Sequence, residues 1–136
     1  MTPNKEDYLK CIYEIGSRHK KITNKEIAQL MQVSPPAVTE MMKKMLAEEL
    51  LVKDKKAGYL LTDLGLRLVS DLYRKHRLIE VFLVNHLGYS TDEIHEEAEV
   101  LEHTVSERFV ERLDAMLQFP KTCPHGGTIP AKGELL

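Results

Sequence analysis

Hydrophobic side chains recur every three or four residues along most of the chain, which is the spacing of amphipathic helices. The first such stretch follows Asn4, the second follows Thr23, and the third follows Ser34 and carries two prolines in its first turn. Asparagine, threonine and serine are favoured N-cap residues, and proline is tolerated at the start of a helix. The pattern therefore predicts three short helices within the first 50 residues.

The pattern then changes to that of a hairpin and afterwards returns to helical spacing. Residues 50–62, LLVKDKKAGYLLT, indicate two short strands around a lysine-rich tip that contains a glycine. Helical spacing resumes at Thr62 and continues to Gly88, and a further helical stretch, one helix or two, begins at Ser90 with Glu93 in a capping-box position. The chain is therefore predicted to be mostly α, with one hairpin and an irregular, proline- and glycine-rich C-terminal stretch.

The order helix, helix, short turn, helix, hairpin is typical of a winged helix-turn-helix, whose third helix reads DNA. Small or hydrogen-bonding residues at the start of that helix suit base edges: Ser34, Pro35, Pro36, Ala37, Thr39 and Glu40. Lysines farther along the helix and on the hairpin suit phosphates: Lys43, Lys44, Lys53, Lys55 and Lys56. A protein-interaction module with a solvated, lysine-rich hairpin is the alternative that fits the same pattern.

Charge is unevenly distributed over the 136 residues. Residues 1–60 hold 11 Lys/Arg and 8 Asp/Glu, a net of +3, whereas residues 61–136 hold 8 and 13, a net of −5. Five of the six histidines also lie in the second half. This asymmetry favours a polyanionic partner for the first half and a cation for the second.

The sequence lacks the features of a membrane protein or a secreted protein. It contains no run of 18 apolar residues, and its first ten residues, MTPNKEDYLK, have neither the basic nor the apolar region of a secretory signal. Two cysteines are too few for a disulfide framework. We therefore expect a cytoplasmic protein with reduced thiols and no membrane partner.

Histidine and glutamate are concentrated in residues 95–103, HEEAEVLEH. Four of these residues share one face of a helix, because they follow the i, i+4, i+7 and i+8 spacing: His95, Glu99, Glu102 and His103. In the preceding helix, His76 and Glu80 are spaced i, i+4. Imidazole and carboxylate together suit Mn²⁺, Fe²⁺ or Zn²⁺, although a single pair at this spacing is common on helix surfaces without any metal.

A thiol and an imidazole occur close together in the C-terminal stretch CPHGG, residues 123–127. Cys123 is either a lone cysteine in a loop or a soft ligand that folds back onto the helical site. A thiolate ligand would shift the metal preference toward Fe²⁺, Co²⁺ or Zn²⁺.

Five blocks of the sequence resemble the diphtheria-toxin-repressor family of metal-dependent transcriptional regulators, in particular the manganese-responsive streptococcal type. The blocks are EDYLKCIYEI, TNKEIAQLMQVSPPAVTEMMKKM, YLLTDLGLRL, RKHRLIEVFL and HEEAEVLEHTVSERFVERLD. The resemblance implies a winged helix-turn-helix DNA-binding domain in residues 1–71 and an α-helical dimerisation and metal-binding domain in residues 72–126. It also implies that residues 127–136 begin a linker toward the SH3-like domain that many members carry.

The resemblance further implies two metal sites. The ancillary site corresponds to His76, Glu80 and His95. The primary site corresponds to Asp7, Glu99, Glu102 and His103, with Cys123 as a further ligand. Asp7 and Glu99 stand where iron-responsive members have methionine and cysteine, and oxygen in place of sulfur favours Mn²⁺. Fe²⁺, Zn²⁺, Co²⁺ and Cd²⁺ are also compatible with these ligands.

The function implied by the resemblance is that of a repressor of metal-uptake genes, not an enzyme. A homodimer would bind a double-stranded DNA operator when divalent metal ties Asp7 of the DNA-reading half to the other primary ligands. One alternative is a dimeric DNA-binding regulator that does not depend on metal. Another is a small metalloenzyme, because a His/Glu metal site can activate water, but no nucleophile motif or glycine-rich phosphate loop stands beside it.

Overall fold

A computed structural model of the chain describes residues 4–136 and has the mostly α content that the sequence predicts. The elements are α1 (Lys5–Ser17), α2 (Asn24–Met31), α3 (Pro35–Ala47), β1 (Leu51–Asp54), β2 (Gly58–Leu61), α4 (Asp63–Leu87), α5 (Ile94–Glu102) and α6 (Glu107–Met116). They form two compact units, Met1–Val69 (unit 1) and Ser70–Leu136 (unit 2). Among the described residues, none of the helices combines the length and the hydropathy that crossing a bilayer requires.

The first three helices begin at the N-caps that the sequence predicts. Asn4 accepts a hydrogen bond from the backbone N–H of Asp7 (3.1 Å), and the Asp7 carboxylate accepts one from the backbone N–H of Asn4 (2.9 Å). Thr23 and Ser34 each accept a hydrogen bond from the backbone N–H three residues farther on. These bonds satisfy N–H groups that have no partner within the helix, so each helix starts at a defined residue.

The connection between α2 and α3 is a sharp turn, as a helix-turn-helix requires. Gln32 ends α2 in the left-handed conformation (φ 55°), and the N–H of Val33 bonds back to the carbonyl of Ala28 (3.2 Å). Helix α3 then buries Val38, Met42 and Met45 on one face. The buried face holds α3 against α2 and leaves the opposite face exposed.

Strands β1 and β2 form the predicted antiparallel hairpin, with Leu51 opposite Leu61 and Asp54 opposite Gly58. The Asp54 carboxylate accepts hydrogen bonds from two backbone N–H groups of the tip. Gly58 has φ +82°, and a β-carbon there would lie 2.0 Å from the carbonyl oxygen of Ile22. Glycine is therefore required at this position by both conformation and space.

The start of α4 belongs to unit 1 and is tied to the end of α3. Thr62 accepts a hydrogen bond from the N–H of Gly65 (3.1 Å) and donates one to the carbonyl of Glu49 (2.7 Å). A β-carbon at Gly65 would lie 2.4 Å from the carbonyl oxygen of Leu50. The helix therefore approaches the chain before β1 more closely than any other residue at position 65 would allow.

Unit 2 packs the C-terminal part of α4 against α5, α6 and the irregular C-terminal stretch. Its core contains Leu78, Ile79, Val81, Leu83, Ile94, Ala98, Val110, Leu113, Cys123 and Ile129. A buried ion pair joins α4 to α6: Arg74 Nη2 lies 2.8 Å from Asp114 Oδ2, and the side chains are 5 % and 14 % exposed. Among the described residues, Arg74 Nε is buried without a hydrogen-bond partner.

One detail of unit 2 differs from the sequence prediction, and the structure decides between two alternatives that the sequence left open. Ser90 does not cap a helix: its N–H and hydroxyl bond to the Glu93 carboxylate, and α5 begins only at Ile94. The reason is that the residues after Ser90 form a turn. The stretch after it forms two helices, because Ser106 accepts a hydrogen bond from the N–H of Phe109 and begins α6.

The packing of unit 2 continues past Gly127, where the sequence analysis places the start of a linker. Ile129 and Pro130 are buried, and the N–H of Ile129 bonds to the carbonyl of Lys121 (2.9 Å). Farther on, the Ser70 hydroxyl donates to the carbonyl of Glu134. Ile129 therefore belongs to the same core as residues of α4 and α6.

Candidate nucleic-acid interface and metal centre

The exposed face of α3 carries the residues predicted to read base edges. Ser34, Pro35, Pro36, Ala37, Thr39 and Glu40 are all exposed. Thr39 is exposed and donates its hydroxyl proton to the carbonyl of Pro35 (3.1 Å). The start of α3 therefore presents exposed small or hydrogen-bonding side chains, as the prediction requires.

The predicted phosphate-binding lysines are exposed as well. Lys43 and Lys44 lie on α3, Lys53 lies on β1, and Lys55 and Lys56 lie at the tip of the hairpin. Their ammonium groups are therefore available to a polyanion. Contact between any of these residues and DNA stays a prediction.

Helix α4 supplies the centre of the candidate metal site, a histidine between two buried carboxylates. His76 Nδ1 lies 3.0 Å from Glu102 Oε2, and His76 Nε2 lies 3.4 Å from Glu80 Oε2. Glu80 and Glu102 are 2 % and 1 % exposed. Glutamate is almost never buried to this extent without a positive partner, so the site requires a cationic group.

Two groups of three ligand atoms share Glu80. In the first group, His76, Glu80 and His95 place their ligand atoms within 4.8 Å of one another, and in the second Glu80, Cys123 and His125 do so. The first group matches the ancillary set implied by the family resemblance. The second group brings Cys123 and His125 to Glu80, whereas the placement of Cys123 in the primary set with Glu99 stays a prediction. Cys123 and Ile129 belong to the same core cluster as residues of α4, and this packing places the CPHGG turn beside Glu80.

The remaining predicted ligands do not form a group of this kind by themselves within unit 2. His95 and Glu99 form an exposed i, i+4 pair (3.4 Å), with side chains 62 % and 48 % exposed. Glu102 lies at the end of α5 and points toward His76, and His103 Nε2 lies 3.6 Å from Glu102 Oε1. Because α5 ends at Glu102, the helical spacing that predicted one common face stops one residue before His103.

Asp7 lies in unit 1, whereas the other predicted ligands lie in unit 2. Its carboxylate is the capping group of α1 described above. The metal-mediated link between Asp7 and unit 2 stays a prediction.

Electrostatics at Glu80 favour a charged, cation-binding carboxylate. Burial acts to raise the pKa of Glu80, but a hydrogen bond from His76 and the charges of His76, His125 and His95 lower it, and the net shift is downward. Glu80 therefore keeps its negative charge although it is buried. Carboxylate, imidazole and thiol are all ligand types that divalent transition metals bind in proteins.

Comparison with known proteins shows what this arrangement belongs to. Residues 1–59 match the family described as "Iron dependent repressor, N-terminal DNA binding domain", and residues 62–131 match "Iron dependent repressor, metal binding and dimerisation domain". The chain belongs to the iron dependent repressor family. This family is one of transcriptional repressors, which are not enzymes.

Individual relatives of this family support the same assignment. "HTH-type transcriptional regulator MntR" of Bacillus pumilus is 31 % identical over 118 residues, which cover 87 % of this chain and 81 % of the relative. A crystal structure of ScaR with bound Zn²⁺ is 86 % identical with a TM-score of 0.94, and the match covers 98 % of this chain and 63 % of that one. A structure of the manganese regulator SloR is 70 % identical with a TM-score of 0.88, covering 100 % and 63 %. The chain thus spans slightly less than two thirds of the length of these two structures.

Family membership confirms the resemblance predicted from the five sequence blocks. It also confirms the predicted fold class, a winged helix-turn-helix followed by a helical metal-binding and dimerisation domain. Helix α3 lies within the residues that match the family's DNA-binding domain. Both groups that share Glu80 lie within the residues that match its metal-binding and dimerisation domain.

Proposed function

We propose that this chain is a metal-dependent DNA-binding repressor of metal-uptake genes, and that Mn²⁺ is its activating ion. The observation that carries the proposal is the buried carboxylate of Glu80, which is shared by two groups of potential ligands in the unit that matches the metal-binding domain of the family. Such a repressor acts in the cytoplasm, where the chromosome lies.

The donor atoms suit a divalent transition metal in both groups. His76, Glu80 and His95 offer two imidazoles and a carboxylate, which suit Mn²⁺, Fe²⁺ and Zn²⁺. Glu80, Cys123 and His125 add a thiol, which favours Fe²⁺, Co²⁺, Zn²⁺ or Cd²⁺. A bound dication would supply positive charge beside the buried carboxylates. The relatives named above include a manganese regulator and a protein crystallised with Zn²⁺.

A second copy of the chain has an apolar surface on which to dock. A groove of about 320 Å³ in unit 2 is lined by Ile79, Phe82, Leu83, Leu87, Tyr89, Glu97, Leu101, Val105, Phe109 and Leu113. Leu87 and Phe109 remain 55 % and 46 % exposed in the single chain. Burying such side chains favours association, and two copies would present two recognition helices to DNA, about 34 Å apart if they bind successive turns.

The DNA-binding test compares duplex binding with and without metal. We expect a labelled duplex from the promoter of a metal-transporter gene to be shifted in the presence of Mn²⁺ and not with a chelator. An unrelated duplex at the same salt concentration controls for non-specific phosphate binding. Equal binding of the promoter with Mn²⁺ and with chelator would instead support the dimeric regulator that does not depend on metal.

The predicted link between Asp7 and the metal-binding unit requires its own matched control. Asp7→Ala removes a carboxylate but also breaks the capping box of α1, whereas Asn4→Ala breaks the same capping box and leaves the carboxylate in place. We expect Asp7→Ala to weaken the Mn²⁺ dependence of duplex binding much more than Asn4→Ala does. Equal effects of the two variants would assign the role of Asp7 to helix capping alone.

A further inference from the structure

The loop that carries Cys123 and His125 is closed by its own backbone. We call residues 121–129 the ligand loop. The N–H of Cys123 bonds to the carbonyl of Gly127 (2.9 Å), Thr122 pairs with Thr128 as an isolated bridge, and the N–H of Ile129 bonds to the carbonyl of Lys121 (2.9 Å). The N–H of Gly127 also points at the Cys123 sulfur, 3.2 Å away. The loop therefore holds the thiol in one orientation.

Arg77 of α4 fastens this loop to the helix that carries Glu80. Its Nη1 donates a hydrogen bond to the carbonyl of Thr128, and its guanidinium carbon lies 4.7 Å from the centroid of the Tyr73 ring. The cation–π contact fixes the plane of the guanidinium, so the hydrogen bond has a rigid donor.

Gly127 is the position where Arg77 and Cys123 meet. A β-carbon there would lie 3.0 Å from Nε of Arg77 and 3.2 Å from Sγ of Cys123. Both distances are shorter than ordinary contacts of a β-carbon. The guanidinium and the sulfur therefore pack against the side of Gly127 where any other residue would carry its β-carbon. Glycine at this position lets Arg77 reach the loop without displacing the thiol.

The second ligand of the loop is oriented by a backbone carbonyl. His125 Nε2 lies 3.2 Å from the carbonyl oxygen of Thr91, and Nδ1 lies 3.3 Å from Glu80. A carbonyl oxygen only accepts, so Nε2 carries a proton, and Nδ1, which faces Glu80, is the nitrogen that could bind a metal once it has lost its own proton. Thr91 and Arg77 thus hold the two sides of the same loop.

We infer that Arg77 is a positioning residue for the metal centre: it holds the ligand loop against α4 so that Cys123 and His125 face Glu80. The inference rests on the proposed function. For the effect of Arg77→Ala on metal affinity, the inference predicts the opposite sign to simple electrostatics. Removing a positive charge beside a cation site should tighten metal binding, whereas releasing the loop should weaken it.

The first test uses the metal-free protein. In a Cys11→Ser background, where Cys123 is the remaining cysteine, we compare its alkylation rate in the parent and in Arg77→Ala. Loss of a hydrogen bond from a charged donor should raise the rate by roughly 10-fold or more. Arg112→Ala, an exposed arginine on α6, is the matched control and should leave the rate unchanged. An unchanged rate in Arg77→Ala would overturn the inference.

The second test uses Co²⁺ as the probe metal. The thiolate-to-cobalt charge-transfer band reports Cys123 as a ligand, and titration gives the apparent Kd. We expect Arg77→Ala to weaken the band and raise the Kd by about 10- to 100-fold, the usual effect of losing a group that orients a metal ligand. Gly127→Ala keeps the Arg77 charge but crowds the contact, and should change both readouts in the same direction. Tighter Co²⁺ binding by Arg77→Ala would overturn the inference.

The two tests separate this inference from the proposed function. If the parent protein binds no Co²⁺ or Mn²⁺, the proposed function fails, and the alkylation rates alone decide whether Arg77 holds the loop. If the parent binds metal and both Arg77→Ala readouts match it, the proposed function stands and the role of Arg77 is overturned. Circular dichroism of each metal-free variant identifies any that fails to fold, in which case Gly127→Ala replaces Arg77→Ala in the comparison.

Discussion

Replacing Glu80 by glutamine removes one negative charge from both ligand groups and keeps the size of the side chain. Glu80 is the residue that the two groups share, and it is 2 % exposed. We expect Glu80→Gln to abolish most of the stabilisation that Mn²⁺ gives to unit 2.

The magnitude follows from linkage between binding and folding. At a Mn²⁺ concentration of about 100 Kd, a ligand that binds only the native state stabilises it by about 2.7 kcal/mol. For a unit of this size each kcal/mol raises Tm by about 4–8 °C, so the parent should gain roughly 11–22 °C. If Glu80→Gln raises Kd about 100-fold, the same Mn²⁺ adds only about 0.4 kcal/mol, a gain of roughly 2–3 °C.

Differential scanning calorimetry with and without Mn²⁺ measures this difference. Glu107→Gln is the control, because Glu107 is an exposed carboxylate (55 %) that pairs with Lys75 (3.3 Å) and lies outside both ligand groups, so this variant should leave the Mn²⁺ gain unchanged. A Glu80→Gln protein that gains as much from Mn²⁺ as the parent would refute the placement of Glu80 in the metal centre.

The charge of Glu80 also predicts how the stability of the metal-free protein depends on pH. Because the pKa of Glu80 is lowered in the folded protein, its charge stabilises the native state above the unfolded pKa, and this contribution is lost as pH falls through the folded pKa. Urea unfolding of the metal-free parent between pH 7 and pH 3, about the range in which glutamate titrates, should therefore lose a component that Glu80→Gln lacks. Parallel pH curves for the two proteins would contradict the lowered pKa.

Three further predictions concern the scaffold. Gly65→Ala should destabilise unit 1 by about 1–3 kcal/mol in urea unfolding, because the clash with the close carbonyl outweighs the better helix propensity of alanine. Gly16→Ala is the control: its β-carbon would meet only a side chain at 3.6 Å, so this variant should be neutral or stabilising by up to about 1 kcal/mol. Equal effects of the two variants on stability would contradict this. Asp114→Asn should cost about 3 kcal/mol by leaving the buried Arg74 charge without its partner, and a loss below about 1 kcal/mol would show that this pair is solvated. Burial, with smaller contributions from neighbouring carboxylates, raises the pKa of Cys11 to about 11. In a variant without the other cysteine, alkylation of Cys11 at pH 8 should therefore be on the order of 100-fold slower than that of an ordinary thiol. A plot of alkylation rate against pH with its inflection below pH 9 would contradict this.

The sequence predicted the elements whose signals are local. The caps at Asn4, Thr23 and Ser34 were correct because an N-cap side chain bonds to a backbone group only three residues away. The hairpin was predicted because its tip and its alternation lie within a few residues. The prediction that Ser90 caps a helix was wrong, because a serine and a glutamate three residues apart can also close a turn. Which of the two structures forms depends on the packing of the surrounding chain.

The geometry of the candidate metal centre was predictable to the extent that its proposed ligands are spaced along a helix. His76 and Glu80 are one turn apart on α4, so their proximity followed from helix geometry alone. The burial of Glu102 against His76 did not follow, because it depends on how α5 packs on α4. Exposure likewise separates His95 and Glu99 from Glu102, although all three satisfy the same helical spacing.

The ligand loop shows where spacing rules cease to apply. Family resemblance placed Cys123 in the set that contains Glu99, which stays a prediction, but it did not indicate that Cys123 lies beside Glu80 in the structure. That grouping depends on the contact between Arg77 and Thr128, which are 51 residues apart in sequence. No periodicity links an arginine on a helix to a carbonyl in an irregular loop, since the loop has no repeat of its own. The only local signal is Gly127, and a glycine in a turn predicts a bend, not the side chain that passes over it.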